Sequence, residues 1–176
     1  LQTIPVSLTP PTLTTPYNLT SLNVAQVPNG YVLSHVFLDR TNGRQFPCLL
    51  KVDNAGNIVY EERQEEIQNF GRVGRALATS DGGVLVRYDL EGRVGEYRKF
   101  DENGIFEFAI GRTGDLVSSR LFRPVESPDG QFLYVPVYKD PNPQILKYNA
   151  TTGALVYDVN PGNIFSPDVL SFFGRD

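Results

Sequence analysis

The sequence predicts an all-β protein built from about three four-stranded antiparallel repeats, and three observations lead there. Residues 76–111 alternate apolar, β-branched or aromatic runs (84–88, 94–100 and 105–110) with Gly-bearing acidic turns, the pattern of consecutive antiparallel strands. A turn triplet recurs as Pro28-Asn29-Gly30, Ser80-Asp81-Gly82 and Pro128-Asp129-Gly130, its glycines 52 and 48 positions apart. A second turn follows a basic residue in each copy: Lys51 and Asp53 before Gly56, Lys99 and Asp101 before Gly104, Lys147 and Asn149 before Gly153, with those glycines 48 and 49 apart. Two independent markers that keep one period indicate a repeat architecture. Periods of roughly 40–50 residues with about four strands each fit the blades of a propeller.

In chain order, residues 1–20 form a Thr/Pro-rich arm. Pro5, Pro10, Pro11 and Pro16 lack a backbone donor and fix φ, so the arm is extended, with strand pairing confined to short pieces around Ile4, Val6 and Leu8. Repeat 1 occupies 21–64, with strands expected at 22–27, 31–38, 48–52 and 58–62. Repeat 2 occupies 65–112. The acidic run Glu61, Glu62, Glu65 and Glu66 crosses the boundary between repeats 1 and 2 and is read as a short helix or a solvated loop between blades. Repeat 3 occupies 113–160. Its Pro136 cannot donate to a ladder and predicts a bulge or a free side in the strand 132–138, and residues 139–143 predict a proline-rich excursion in place of a tight hairpin. Residues 161–176 hold a partial repeat, an apolar strand with Val169, Leu170, Phe172 and Phe173.

At these residues a resemblance can be named. Residues 127–134 (SPDGQFLY), followed by 145–156 (ILKYNATTGALV), resemble a β-propeller repeat of the YVTN kind, and residues 81–111 resemble an NHL-like blade. The similarity spans roughly residues 21–160. It implies the fold and selects no activity, because propellers carry many unrelated functions.

Composition narrows the function classes. With 40% hydrophobic and 20% charged residues the chain is an ordinary globular domain, and its net charge of −4 leaves no clustered basic footprint for nucleic acid or an anionic membrane. One cysteine excludes an intrachain disulfide, and no cysteine or histidine cluster has zinc spacing. The adjacent acidic turns around Asp89 and Asp101 lack the spaced ligand loop of a calcium site, and Gly71-Arg72-Val73-Gly74-Arg75 lacks the context of a phosphate-binding loop. No cofactor or metal is therefore expected. Two glycosylation sequons, at Asn18 and Asn149, point to an extracellular or cell-envelope chain, and the missing Met at position 1 to a processed chain or a piece of a longer one.

Catalysis is the minority reading. His35 and Cys48, the single residues of their kinds, lie 13 positions apart in different expected strands, and the acids fall mostly in solvated turns. The expected function is non-catalytic: a propeller module for protein assembly or recognition, with other copies of itself among its partners. Three repeats do not close a ring of four or more blades, so the arm (Ile4, Val6, Leu8) and the last strand (Val169, Leu170, Phe172, Phe173) are expected either to complete a fourth blade or to join neighbouring copies in an oligomer or filament. The alternatives are a carbohydrate- or ligand-binding propeller, whose surface would use exposed Tyr, and a fragment of a larger propeller hydrolase or lyase.

Overall fold

The structure, a computed structural model, describes residues 17–39, 45–63, 70–90, 95–111, 120–121, 123–139 and 142–159. Every regular element among them is a strand. Sheet 1 comprises β1 (Tyr17–Val27), β2 (Gly30–Asp39), β3 (Gln45–Asp53) and β4 (Ile58–Arg63), in that order. Sheet 2 comprises β5 (Phe70–Ala78), β6 (Val84–Leu90), β7 (Glu96–Phe100) and β8 (Phe106–Ile110). In sheet 3, β9 (Arg120–Leu121) and β10 (Val125–Glu126) both pair with β11 (Phe132–Lys139), which is followed by β12 (Asn142–Asn149) and β13 (Leu155–Val159). All pairings are antiparallel between neighbours. Three successive four-position meanders make a propeller-like array, without a closed barrel among the described residues.

The local departures from expectation have identifiable causes. β1 begins at Tyr17, five residues before the expected start, because residues 17–20 pair with residues 39–36 across the long hairpin. A strand, β5, occupies the Gly71–Arg75 stretch, where repeated glycines and arginines obscure the alternation; two register shifts interrupt its pairing with β6. Pro136 sits within unbroken β11–β12 pairing, opposite Ile145. Its other side is the free one: β10 pairs only as far as Tyr134 and β9 resumes at Val137, so the inner strand is interrupted where proline offers no donor. The expected excursion after residue 139 is absent, since Lys139 pairs with Asn142 and leaves two residues for the connection. The expected assembly residues Ile4, Val6, Leu8, Val169, Leu170, Phe172 and Phe173 lie outside the described residues.

Sheet 2 is buried on both faces, which is why β6 opens on three successive apolar residues, Val84, Leu85 and Val86, without alternation. Its Val84, Val86, Tyr88 and Phe100 pack with Ala25, Val27, Val32, Val36 and Leu49 of sheet 1. From the opposite face Leu85, Tyr97 and Ile110 pack with Leu133, Val135, Val137, Leu146 and Tyr148 of sheet 3. Fully burying one such side chain contributes about 1.5–3 kcal/mol, so the two layers hold the sheets face to face.

Each layer ends in the same interlock. The turns after β3, β7 and β12 are Asx turns. The Asp53 and Asp101 carboxylates and the Asn149 amide oxygen accept backbone N–H groups within their own turns, and each turn closes on a glycine at φ 91°, 83° and 68° respectively. A Cβ built on Gly104 would lie 2.7 Å from the Tyr60 ring of sheet 1, and one on Gly153 would collide with the Phe108 ring of sheet 2. An aromatic ring from the fourth strand of one sheet thus lies on the bare turn of the next. A second tie joins sheets 2 and 3 at the same end: Glu126 accepts from the Ser80 amide (2.8 Å) and hydroxyl (2.9 Å).

Gly104→Ala should destabilise the chain by about 1–3 kcal/mol through ring displacement and an unfavourable positive φ. In a Tyr60→Ala background the cost should fall, leaving only the φ strain. Urea titrations of the four proteins of this cycle measure the coupling, and strictly additive effects would show that ring and turn do not interlock.

Candidate functional site

The lysine that precedes each Asx turn lies directly opposite an aromatic residue of the fourth strand: Lys51 opposite Tyr60, Lys99 opposite Phe108, Lys147 opposite Tyr157. Directly paired residues share a face of the sheet, so each sheet presents the same cation and ring toward the next one. The three lysines then meet different surroundings.

Lys51 reaches across the seam, and its Nζ donates to the Glu102 carbonyl in the sheet 2 turn at 2.8 Å. Burial, together with the nearby Asp101 and Glu62 carboxylates, pushes the Tyr60 hydroxyl up to about 12, consistent with a ring pressed against that turn. Lys99 is 1% exposed and saturated within its own sheet. Its three donors meet Asp81 Oδ2 (2.8 Å), Glu107 Oε2 (3.0 Å) and the Phe100 carbonyl (3.2 Å). Burial works against ionisation of Asp81, but the Lys99 contact, with further hydrogen bonds from Thr79 and Gly83, holds its carboxyl below the usual range.

Lys147 differs from both. Its Nζ stands 3.5 Å from the Phe132 ring centroid, 5.0 Å from that of Tyr157 and 5.7 Å from that of Tyr134. Among the described residues it has no hydrogen bond or ion pair, and its charge is met by three ring faces and, through space, by Asp129. On this face Tyr157, in the outer strand, is 42% exposed, where the equivalent Tyr60 and Phe108 are partly buried under glycine turns; Phe132, Tyr134, Ile145 and Lys147 are half-buried and Pro136 is buried. Among the described residues, the Tyr157 ring and the Lys147 donors of sheet 3 meet no turn of the kind that Tyr60 and Lys51 of sheet 1 meet.

The other sequence candidates sit elsewhere. His35 and Cys48 are direct cross-strand partners on β2 and β3, on the face that carries Leu33, Leu50 and Val52, away from sheet 2. Each is 1% exposed, and Cys48 Sγ lies 3.5 Å from the Phe46 carbonyl, so the pair meets inside the protein, shielded from bulk solvent. Burial lowers the His35 pKa from 6.5 to about 4 and keeps the ring neutral at physiological pH. Of the sequon residues, Asn18 lies in β1 opposite Leu38. Asn149 closes its turn, accepting from the Thr151 and Thr152 amides. Of the tyrosines, Tyr88 is fully buried with Arg98 stacked 4.9 Å over its ring, and Tyr134 and Tyr157 stand beside Lys147. No group of acids, histidines and cysteines able to hold a metal occurs among the described residues.

No protein-family model matches the sequence, and no curated protein matches it. Among solved structures, a eukaryotic initiation factor superposes over 86% of this chain and 34% of its own, with a TM-score of 0.55 at 14% identity. Dihydro-heme d1 dehydrogenase NirN matches over 78% of this chain and 36% of its own (TM-score 0.49, 10% identity). A protein from Lactobacillus plantarum matches over 82% of this chain and 57% of its own (TM-score 0.39, 12% identity). The initiation-factor likeness shows a shared propeller-like fold, and this chain spans about a third of that protein's length.

Lys99→Met should cost about 2 kcal/mol, below the roughly 3–5 of a fully buried pair because Asp81 and Glu107 retain contact with water; denaturant titration measures it, and a neutral result would remove Lys99 from the account. His35 supplies a pH signature. Its folded pKa lies below the unfolded one, so the unfolded chain takes the proton first. Stability is then complete above pH 6.5 and falls by roughly 1.4 kcal/mol per unit between 6.5 and 4. Melting curves across that window should slope in the native chain and flatten in His35→Gln.

Proposed function

We propose that this chain is a non-catalytic recognition and assembly module of the extracellular or cell-envelope class, working through the Lys147 and Tyr157 edge of sheet 3. The observation that carries this reading is Lys147. It is a half-buried ammonium with no hydrogen bond or ion pair among the described residues, set among Phe132, Tyr134 and Tyr157 and lying in register with lysines whose faces are covered by a neighbouring sheet. A face of this kind suits a protein partner that presents a tight hairpin turn. The turn's carbonyl groups accept from the ammonium, and a bare glycine lets the Tyr157 ring lie on the backbone.

A carbohydrate partner is the second reading, favoured by the exposed Tyr157 ring, which offers an apolar platform with a hydroxyl at its tip. The two readings make different demands. A turn uses both the ammonium and the ring, whereas a sugar stacked on the platform depends chiefly on the ring.

The test uses a cyclised peptide with the sequence of residues 96–110, the hairpin that sheet 1 already receives, since cyclisation limits the ordering cost of an isolated hairpin. Titrated into the full chain, it should give saturable shifts in the Tyr157 resonances. Lys147→Met and Tyr157→Ala should each weaken binding at least about tenfold, or 1.4 kcal/mol, while melting temperature holds. Shifts at Tyr157 with a panel of oligosaccharides and none with the peptide would favour the carbohydrate reading over this one.

A further inference from the structure

The third Asx turn is built by an amide where the other two are built by carboxylates, and we infer that this amide, Asn149, is a site of N-linked glycosylation. Glycosylation shares with the proposed function only its extracellular or cell-envelope setting.

In sheets 1 and 2 both oxygens of the turn-building aspartate are in use. Asp53 Oδ1 accepts from the Ala55 and Asn57 amides at 2.9 and 2.8 Å, and Oδ2 accepts from the Asn57 side chain at 2.8 Å. Asp101 repeats the arrangement, with Oδ1 accepting from the Asn103 and Ile105 amides at 2.9 and 2.8 Å and Oδ2 from the Asn103 side chain at 3.4 Å. In sheet 3 one atom does the work. Asn149 Oδ1 accepts from the Thr151 amide (3.0 Å), the Thr152 amide (2.8 Å) and the Thr152 hydroxyl (3.1 Å). Three donors on one atom fix the orientation of the amide, because Nδ2 cannot accept. Nδ2 stands where the second carboxylate oxygen would be, with no hydrogen-bond partner among the described residues. It is not one of the buried polar atoms, so it meets solvent.

The other half of the sequon is equally unoccupied. Thr151 is exposed, and its hydroxyl makes no hydrogen bond among the described residues. The turn uses the Thr152 hydroxyl instead, which accepts from the Ala154 amide at 3.3 Å. An exposed turn therefore holds ready the amide nitrogen and the hydroxyl, two positions apart, that N-glycosylation requires. The Asn18 sequon is placed differently, inside β1, where Asn18 and Thr20 pair with Leu38 and Val36. A bulky hydrated group belongs on the turn and not in the ladder.

The donor is an oligosaccharide carried on a polyprenyl pyrophosphate, supplied with its transferase by the secretory membrane. Nδ2 attacks the anomeric carbon, the carbon–oxygen bond to the pyrophosphate breaks, and the bonding pair leaves with the pyrophosphate. One Nδ2 proton passes to a carboxylate base of the transferase. The carbonyl is unchanged, so the three hydrogen bonds to Oδ1 survive, and with them the glycine turn against which Phe108 lies. The fold's part is to accommodate the product.

The full chain, secreted from a eukaryotic host behind a cleavable signal sequence, tests this. Mass spectrometry of peptides should find Asn149 glycosylated in the folded, monodisperse fraction, and an N-glycan-releasing amidase should remove the glycan and leave aspartate at that position. Asn149→Asp keeps a turn-building oxygen, as Asp53 and Asp101 do, and Thr151→Ala removes only the hydroxyl. Each should abolish the modification while melting as the unglycosylated native chain from a bacterial cytoplasm does. Unmodified Asn149 in the secreted, folded chain overturns the inference, as does a glycan found there only in aggregated protein. If the hairpin peptide binds while Asn149 stays unmodified, the recognition reading stands and the glycan falls; a glycan at Asn149 without peptide binding gives the reverse.

Discussion

The structure depends on a ring lying against a glycine. Apolar burial between facing sheets is plentiful but does not by itself set how far one sheet slides along the next. The fit of Tyr60 on Gly104, and of Phe108 on Gly153, does, because a Cβ at either glycine would occupy the ring's place. The positive φ of those glycines follows from the Asx turn that precedes them, and the turn follows from Asp101 and Asn149 accepting their own downstream amides. One short sequence element, an Asp or Asn with a glycine three or four positions on, therefore serves both the hairpin within a sheet and the seam between sheets.

The lysines show how one position in a repeat takes on different work. A buried ammonium is costly unless all its donors are met, and Lys99 meets this demand with two carboxylates and a carbonyl. Lys51 meets part of it from the neighbouring turn. Lys147, among the described residues, has only ring faces close by. The progression from a satisfied cation to an unsatisfied one is what separates the interior seams from the terminal face. It also separates that face from the His35 and Cys48 pair, whose side chains are brought opposite one another by strand register and sealed inside.

Much of the fold was legible in the residues. The period came from glycines and lysines whose roles are now physical: the glycines admit a ring, and the lysines mark the face that points at the next sheet. Proline at 136 foretold the free side of β11 because the missing donor is a local property. Two features were less accessible. β5 was obscured because glycine and arginine in a half-covered strand break the alternation that identifies one; at Gly74 the Arg87 side chain lies 3.1 Å from where a Cβ would stand. The terminal face was overlooked although a signal existed. The partnered aromatic follows its lysine by 9, 9 and 10 residues, the extra residue in the third copy matching its longer turn. Sequence alone does not reveal that two of those rings lie under a glycine turn and the third is the more exposed.

The central claim is that Lys147, among the described residues, meets only ring faces and stays partly exposed, while Lys51 and Lys99 are buried on hydrogen-bond acceptors. Reductive methylation of the native chain under dilute conditions, with the extent at each lysine read by mass spectrometry of peptides, addresses it directly. The account predicts rapid modification of Lys147 and protection of Lys99 and Lys51. Equal protection of all three would mean that the third ammonium is held as the others are, and would contradict the account.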